Sequence, residues 1–333
     1  MDRRALLKGT LAGAVAAPFV STLGGIARAQ SWPSRNITIV VAFPPGGAAD
    51  TAARPVAQAM QEILGKSVII DNKAGAAGLL GNAYAARAEP DGHTLLMALS
   101  SMTTLPESER LYDRKPAYEY QQLVPIARVT ADPVTFNVRS DSPYRSLKDF
   151  IDDAKKRPGQ ISFSSSGNFG ATHLPFAMLE QAAGIKLLHV PYRGGGPALT
   201  AFIGSQVDVT AQGPAPIFPF VRDGRARFLA QWGTERTPDL EGVPTMVELG
   251  YPSVVSYIWA GLFAPPGTPE PIITKLRETM RKVMNDSATK AIFARAGSPA
   301  AYLDQPEFAK FVEADATRMI PVIRKIGRLD EKG

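Results

Sequence analysis

The sequence ITIVVAFPPGGAAD, residues 37–50, decides the fold class of this chain. It opens with a short run rich in β-branched side chains, Ile37–Phe43, which is the composition of a strand buried on both faces. Two prolines and two glycines then interrupt the run, and an Ala-rich helical segment follows from about Thr51 to Leu64. A buried strand that leads through a Gly-rich turn into a helix is half of a strand–helix–strand unit, so the sequence predicts an α/β fold.

The same alternation continues along the chain. Further strands are predicted at residues 67–71, 93–99, 135–139, 161–164, 187–191 and 207–212. Further helices are predicted at residues 147–157, 171–183, 197–203 and 306–325, with one more through Arg87 and another that begins at Thr268-Pro269. Such repetition requires right-handed crossovers and predicts a mostly parallel sheet covered by helices. Single cores usually divide near 300 residues, so two domains are expected.

The first 29 residues have the three parts of an export signal. The paired arginines Arg3-Arg4 precede a moderately apolar stretch, Leu11 to Ile26, and Ala27-Arg28-Ala29 supplies small residues before a cleavage site. We expect residues 1–29 to be removed and the product to be periplasmic, with the arginine pair favouring the twin-arginine route over the Sec route. A retained membrane anchor is the alternative, but the stretch is too short and too rich in Gly and Ala for a stable span.

Composition excludes several classes of protein. The chain has no cysteine, which excludes disulfides, thiolate metal sites, a cysteine nucleophile and a lipid-anchored cysteine. Loss of residues 1–29 lowers the net charge from +6 to +3, and no basic run with interleaved aromatics exists, so nucleic acid is not an expected partner. The histidines His93, His173 and His189 are scattered without metal-ligand spacing, so neither a metal nor another cofactor is predicted.

Four loops share one design, in which a strand ends, small residues follow and a helix begins. Their candidate ligand-binding residues are Phe43, Gly46, Gly47 and Asp50; Ser100 and Ser101; Ser165, Ser166, Gly167 and Gly170; and Tyr192 and Gly194. Ligands of open α/β sheets bind beyond the carboxyl ends of the strands, where glycines admit close approach and helix N-termini attract anions. The predicted ligand group is a carboxylate or another small anion, held by main-chain N–H groups and hydroxyls.

Two of these positions, and the question of catalysis, leave alternatives open. Asp50 is either an N-cap or a residue that faces the cleft, and His173 either touches the ligand or caps its own loop. Ser164–Ser166 could hold a nucleophile, but no base is identifiable, and the motifs G-x-S-x-G, G-x-x-x-x-G-K-[ST] and H-E-x-x-H are absent. The chain is therefore not expected to be an enzyme.

Longer segments resemble the periplasmic receptors of tripartite tricarboxylate transporters, also called Bug receptors. They are ITIVVAFPPGGAADTAARPVAQ, LGKSVIIDNKAGAAGLLGNAYAARAEPDGHTLLM, SSSGNFGATHLPFAML, HVPYRGGGPALTAFIGSQVDV, VPTMVELGYP and WAGLFAPPGTP, in the order found in that family. Departures occur at Pro44-Pro45, at Ala211–Pro214 and in the unusually charged segment Leu105–Tyr120.

The resemblance implies a two-domain Venus-flytrap fold of the type II periplasmic-binding-protein kind, with the ligand cleft between the domains. Domain one would combine residues 31–130 with 256–333, and domain two would be residues 131–255, with crossings near Arg128–Pro133 and Ser253–Trp259. It also implies that backbone groups and ordered waters from Phe43–Asp50 and Ser164–Thr172 hold the ligand carboxylate. Tyr192 and the segment from Asp208 to Pro214 would read the rest of the ligand.

The function implied is capture of a small organic acid and its delivery to membrane subunits of a transporter by a monomeric receptor. The alternatives are a sensor that docks on a signalling membrane protein and, last, an exported hydrolase. The sequence leaves the ligand open among dicarboxylates, tricarboxylates, aromatic acids, amino acids and amides.

Overall fold

The computed structural model describes residues 32–329, in which short strands and helices alternate as the sequence predicts. The strands are β1 (Ile37–Val41), β2 (Val68–Asn72), β3 (Thr94–Leu99), β4 (Val124–Pro133), β5 (Thr135–Arg139), β6 (Ser162–Ser165), β7 (Leu188–Pro191), β8 (Val209–Gln212), β9 (Ala226–Gln231), β10 (Tyr257–Ala264) and β11 (Leu303–Asp304). The helices are α1 (Ala48–Leu64), α2 (Leu79–Ala85), α3 (Leu105–Leu111), α4 (Leu147–Lys156), α5 (Leu174–Ala183), α6 (Gly195–Ile203), α7 (Pro214–Arg222), α8 (Glu270–Asn285), α9 (Ser287–Arg295) and α10 (Gln305–Ile326).

The predicted export signal, residues 1–29, lies outside the described residues. Among residues 32–329, no helix has the length and apolar character needed to cross a bilayer.

The strands form two sheets, each with a reversal of strand order near its centre. The first sheet has the order β11-β4-β10-β3-β1-β2, and the second has the order β7-β6-β8-β5-β9. In the first sheet β2 lies on one side of β1, and the next strand of the chain, β3, lies on the other side. In the second sheet β7 and β8 flank β6 in the same way. These reversals are the topological switch points at which open α/β sheets bind ligands.

Both sheets are mixed, so the expectation of mostly parallel pairing is wrong. Strands β1, β2 and β3 pair in parallel, as do β6, β7 and β8. Antiparallel strands complete each sheet, namely β10, β4 and β11 in the first and β5 and β9 in the second. The sequence analysis missed β4, β9 and β10, because short apolar runs outside a strand–helix–strand unit carry no distinctive periodicity.

An aromatic cluster fills the core beside the second sheet. The Phe136 ring stacks on Trp232 at 5.6 Å between ring centres and meets Phe176 edge-on at 5.1 Å. Phe163 packs against Phe176 at 4.4 Å. A second cluster beside the first sheet joins Trp259 on β10 to Phe308 on α10, and the Trp259 indole donates to buried Asp315. Large apolar rings of this kind dominate the energetics of a core.

The chain passes between the sheets twice, and the passing segments are hydrogen-bonded to each other. The first passage is at Val134, between β4 and β5, and the second ends at Ser256, just before β10. Val134 N donates to Ser256 O at 3.2 Å, Ser256 N donates to Trp232 O at 2.8 Å, and Trp232 N donates to Val134 O at 2.8 Å. The described residues from Pro33 onward form one compact unit, so the predicted domain bounds remain a prediction.

A buried carboxyl group lies directly before the first passage. Asp132 is 8% exposed, and its carboxyl accepts a hydrogen bond from the Ser298 hydroxyl. Burial raises the pKa of Asp132 to about 7, the Ser298 hydrogen bond opposes this rise, and the nearby Asp239 charge adds to it. The group is therefore held in its neutral form over a range in which an exposed aspartate would be charged.

This arrangement makes stability depend on pH. From about pH 4 to about pH 7 the unfolded chain releases the Asp132 proton while the native state keeps it, so the wild-type protein loses stability as pH rises through this window. An Asp132→Asn variant lacks this loss, and its stability relative to wild type should grow by up to about 4 kcal/mol across the window. Urea denaturation at a series of pH values measures it. The control is Asp223→Asn at an exposed site, and parallel curves for wild type and Asp132→Asn would contradict the assignment.

Candidate ligand-binding site

The predicted loops lie at the carboxyl ends of the strands that flank the two switch points. Loop 42–47 follows β1 and loop 100–104 follows β3, while loop 166–173 follows β6 and loop 192–194 follows β7. The first sheet therefore contributes two loops, and the second sheet contributes two more. This is the position from which an α/β protein binds its ligands.

Glycines allow the loop after β1 and the loop after β7 to touch backbone to backbone. A Cβ placed on Gly194 would lie 2.3 Å from Pro44 Cδ, and one on Gly196 would lie 2.5 Å from Pro45 O. A Cβ on Gly47 would lie 3.4 Å from Gly196 N. Real Cβ atoms do not approach other atoms within 3.0 Å, so a side chain at 194 or 196 requires the loops of the two sheets to move apart.

A second contact joins Ala77 to the loop after β6. Ala76 and Ala77 adopt the left-handed conformation, with φ of 47° and 55°, and Ser101 Oγ donates to Ala77 O at 3.1 Å. Cβ atoms on Gly167 and Gly170 would lie 3.3 Å and 3.2 Å from Ala77 Cβ. Positive φ is costly for alanine and persists only where surrounding contacts enforce it. The sequence analysis did not select Ala77, although it lies between two glycines, Gly75 and Gly78, in a segment that resembles the receptor family.

Asp50 braces its own loop. Gly47 is the N-cap of α1, and Asp50 lies in the first turn at 4% exposure. Its carboxylate accepts from Gly46 N at 3.0 Å, from Arg54 Nε and Nη2 at 2.8 and 2.9 Å, and from Asn72 Nδ2 at 3.3 Å. Burial alone would raise the pKa of Asp50, but these hydrogen bonds lower it overall. The carboxylate thus fixes the Gly-rich turn against β2, a role close to the capping alternative.

Hydroxyl groups hold the loop after β6 in the same way. Thr172 Oγ1 accepts from Ser166 N at 2.7 Å and donates to Ser166 Oγ at 3.0 Å. His173 Nδ1 accepts from Phe169 N at 3.1 Å, so this histidine caps its own loop. Burial, followed by the proximity of His189, lowers the pKa of His173 well below its usual range. The ring is neutral and serves as a hydrogen-bond acceptor.

Ser165 has a histidine partner that the sequence analysis did not find. Its Oγ lies 2.6 Å from His189 Nε2 and accepts from Gly167 N at 3.1 Å. The parallel pairing of β6 with β7 brings the two side chains together across 24 residues of chain. Ser165 is fully buried, and burial lowers the pKa of His189 to about 4. Both hydroxyl and imidazole face into the loop that they support.

The structure gathers most of the remaining candidates here and leaves one elsewhere. Phe43 packs its ring against Gly78, Ser100 is buried at the start of the loop after β3, and Pro214 begins α7 beyond β8. Tyr192 N donates to Ser165 O at 3.0 Å and so belongs to the loop after β7. Asp208 lies at the opposite end of β8, where it accepts from Ser162 N at 2.8 Å, so the structure does not bring it to this group.

Gln212 is a further residue that the sequence analysis did not select. It ends β8 at 2% exposure, and its Nε2 donates to Gly195 O at 3.2 Å. The side chain therefore fixes the glycine loop that touches Gly47 and Pro45. A glutamine at a strand end is common, so sequence alone gave no reason to choose it.

The walls of the gathered loops are rich in backbone N–H groups and hydroxyls. Asp50 is the one charged side chain among the gathered candidates, and protein donors already occupy both of its oxygens. Among residues 32–329, no group of three or more His, Cys, Asp or Glu is placed to hold a metal ion. The arrangement suits a small anion held by neutral N–H and O–H donors. Such donors have no ion pair that must break before the anion binds.

The bracing role of Asp50 predicts a loss of stability when it is removed. Asp50→Ala leaves the Gly46 N–H and the Asn72 amide without their acceptor, and should lower the free energy of unfolding by about 2 kcal/mol. The matched control is Asp152→Ala, which removes the exposed partner of Lys148 in a helical pair of the same spacing and should cost about 0.5 kcal/mol or less. Urea denaturation compares the two, and equal losses would contradict the role assigned to Asp50.

A family model described as the tripartite tricarboxylate transporter family receptor matches residues 52–328. Among curated proteins, BugT of Bordetella pertussis is 31% identical and aligns over 94% of this chain and 97% of its own length.

Solved structures of similar sequence share the fold. The periplasmic binding protein BugD superposes with a TM-score of 0.83 at 30% identity, covering 89% of this chain and 99% of its own. MatC from Rhodopseudomonas palustris, with bound malate, has a TM-score of 0.81 at 30% identity and covers 88% and 100%. Another R. palustris protein, with adipate, has a TM-score of 0.83 at 28% identity and covers 89% and 98%. The two-sheet α/β fold is therefore that of the periplasmic binding proteins, and the chain belongs to the receptor family of the tripartite tricarboxylate transporters.

Proposed function

We propose that this protein is a periplasmic receptor that captures a small organic acid between the loops of its two sheets. The observation that carries the proposal is the backbone contact of Gly194–Gly196 with Pro44–Gly47. Because these loops meet at glycines, no side chain prevents their approach. The space between them is bordered by main-chain donors that a ligand can reach. The candidate residues that do not meet this geometry, Asp208 first among them, are not part of the proposed site.

A carboxylate is the ligand group that this site suits best. The loops begin the helices α1 and α6, whose first N–H groups lack partners within their own helices and attract negative charge. Hydroxyls of the Ser166–Thr172 loop add further donors. The malate and adipate of the two R. palustris structures are carboxylates, which supports the same class here.

Capture involves a change in the separation of the two sheets about the passages at Val134 and Ser256. These passages are the covalent links between the sheets, and three short hydrogen bonds hold them side by side. Hinges of this kind consist of a few residues at element ends that absorb the change in backbone angles. The domains proposed are residues 31–130 with 256–333 and residues 131–255.

The ligand is released unchanged, and delivery to membrane subunits of a tripartite transporter follows capture. The family is one of receptors, and its name supplies the transporter as the partner. The buried position of Ser165 supports binding rather than catalysis, because a nucleophile must reach its substrate. The Arg3-Arg4 signal supports export to the periplasm.

A thermal-shift screen against small carboxylates and matched amides tests this function. A ligand at about 100 times its dissociation constant adds roughly 2.7 kcal/mol to stability, which raises the melting temperature by a few degrees. We expect carboxylates, malate and adipate among the first tried, to give such a shift and to be recovered intact. Consumption of the ligand, or shifts with amides alone, would contradict a carboxylate receptor.

The glycine contact gives a sharper test. Gly196→Ala places a methyl group against Pro45 O, so the loops cannot meet, and the affinity for a carboxylate found in the screen should fall on the order of tenfold. The matched control is Gly242→Ala, where a Cβ would meet nothing within 4 Å. Calorimetric titration measures both variants, with urea denaturation to verify that each is folded. Wild-type affinity in Gly196→Ala would remove the contact from the binding mechanism.

A further inference from the structure

A groove of about 460 Å³ opens beside the candidate site, and residues from both sheets line it. Tyr112 and Arg114 come from the first side, directly after α3, while Phe169, Tyr192 and Arg193 come from loops of the second sheet. Its volume is that of pockets that bind small molecules. The segment Leu105–Tyr120, where the family resemblance is poor, builds one of its walls.

The groove adjoins the contact between Ala77 and the loop after β6. Ala77, Gly167 and Tyr192 line it, and they also form the contact between the loops, since a Cβ on Gly167 would lie 3.2 Å from Ala77 N and 3.3 Å from Tyr192 O. The site proposed for the carboxylate and the groove therefore share these residues. Because Gly167 has no side chain, a narrow ligand chain can pass between them after a small separation of the loops.

Two guanidinium groups in the groove are unpaired within the described part of the chain. Among residues 32–329, neither Arg114 nor Arg193 forms an ion pair or a side-chain hydrogen bond, and both are exposed. The acid in the groove is Glu109, whose Oε2 already accepts from Ala117 N at 2.7 Å. Arg328, close by, differs because its guanidinium pairs with Asp113. The described residues of its lining thus carry two guanidinium groups against one carboxylate, with donors on both sides.

Aromatic rings give the groove an apolar wall between these charges. The Tyr112 ring meets Phe169 edge-on at 6.4 Å between centres, and the Arg114 guanidinium carbon lies 5.5 Å from the Tyr112 ring centre. Tyr112 is fixed by its hydroxyl, which accepts from Leu329 N at 2.9 Å. A ligand chain of methylene groups can lie on such rings, while its charged end reaches a guanidinium.

We propose that the groove is a second anion subsite, which binds the distal carboxylate of an elongated diacid between Arg114 and Arg193. The inference rests on the proposed function, in which the first carboxylate lies among the glycine loops. Because the two arginines belong to opposite sides of the groove, a carboxylate between them also favours the approach of the loops. The ligand class is then a diacid with an extended methylene chain rather than a compact one.

Calorimetric titration with three acids tests the subsite. The acids are succinate, a short diacid; suberate, a long diacid; and octanoate, the monoacid of the same chain length. Wild type should bind suberate more tightly than octanoate. Arg114→Gln and Arg193→Gln should each weaken suberate binding by about threefold, and the double variant by about tenfold, with succinate and octanoate unchanged. The charge-matched controls Lys115→Gln and Arg225→Gln, both exposed and outside the groove, should leave all three affinities as they are.

Three results would overturn the inference. The first is that wild type binds suberate and octanoate with equal affinity. The second is that Arg114→Gln and Arg193→Gln weaken succinate and suberate binding equally. The third is that the control Lys115→Gln weakens suberate binding. In each of these cases a carboxylate still binds, so the result contradicts the second subsite and leaves the proposed carboxylate receptor in agreement with the data. If none of the three acids, nor any carboxylate of the wider screen, binds wild type, the proposed function fails and the subsite fails with it.

Discussion

The structure depends on a steric constraint, the backbone contact between Pro44–Gly47 and Gly194–Gly196. The loops belong to different sheets, and they meet because positions 194 and 196 have no side chain to separate them. The surrounding polar groups keep the loops in the shape that this contact needs. Asp50 binds the Gly46 N–H and joins the turn to Arg54, and Gln212 holds Gly195 from the other side. In the proposed site, main-chain groups therefore set the geometry and side chains support them.

Much of this architecture could be predicted from the sequence, because its causes are local. The runs at Ile37–Phe43 and Thr135–Arg139 form strands, because their β-branched residues suit the buried strands of a sheet. The Gly-rich turn after the first run leads from its strand into a helix, the position from which α/β proteins bind ligands. The resemblance of long segments to the receptor family is confirmed by the family match. The predicted loops after β1, β3, β6 and β7 lie together at the switch points of the two sheets.

The rest depends on long-range contacts that one sequence does not reveal. β10 pairs antiparallel with both β3 and β4, and nothing in its eight residues indicates those partners. Asp50 and His173 had two interpretations each. Their neighbours in space, Arg54 and Asn72 for one and the Phe169 amide for the other, give each a supporting role in its loop, and contact with a ligand stays a prediction. Asp208 was expected near the ligand from its place in a family segment, yet strand direction puts it at the far end of β8.

The central claim is that a carboxylate is bound by main-chain donors between the two sheets. A crystal structure of the protein with a carboxylate found by screening tests it most directly. The account predicts that the carboxylate oxygens lie within hydrogen-bond distance of N–H or hydroxyl groups in both the Phe43–Asp50 loop and the Ser165–Thr172 loop, with no arginine or lysine at that carboxylate. The claim would be contradicted if no carboxylate lay among these loops, if the carboxylate there were paired with a cationic side chain, or if it were bound to the loops of one sheet only.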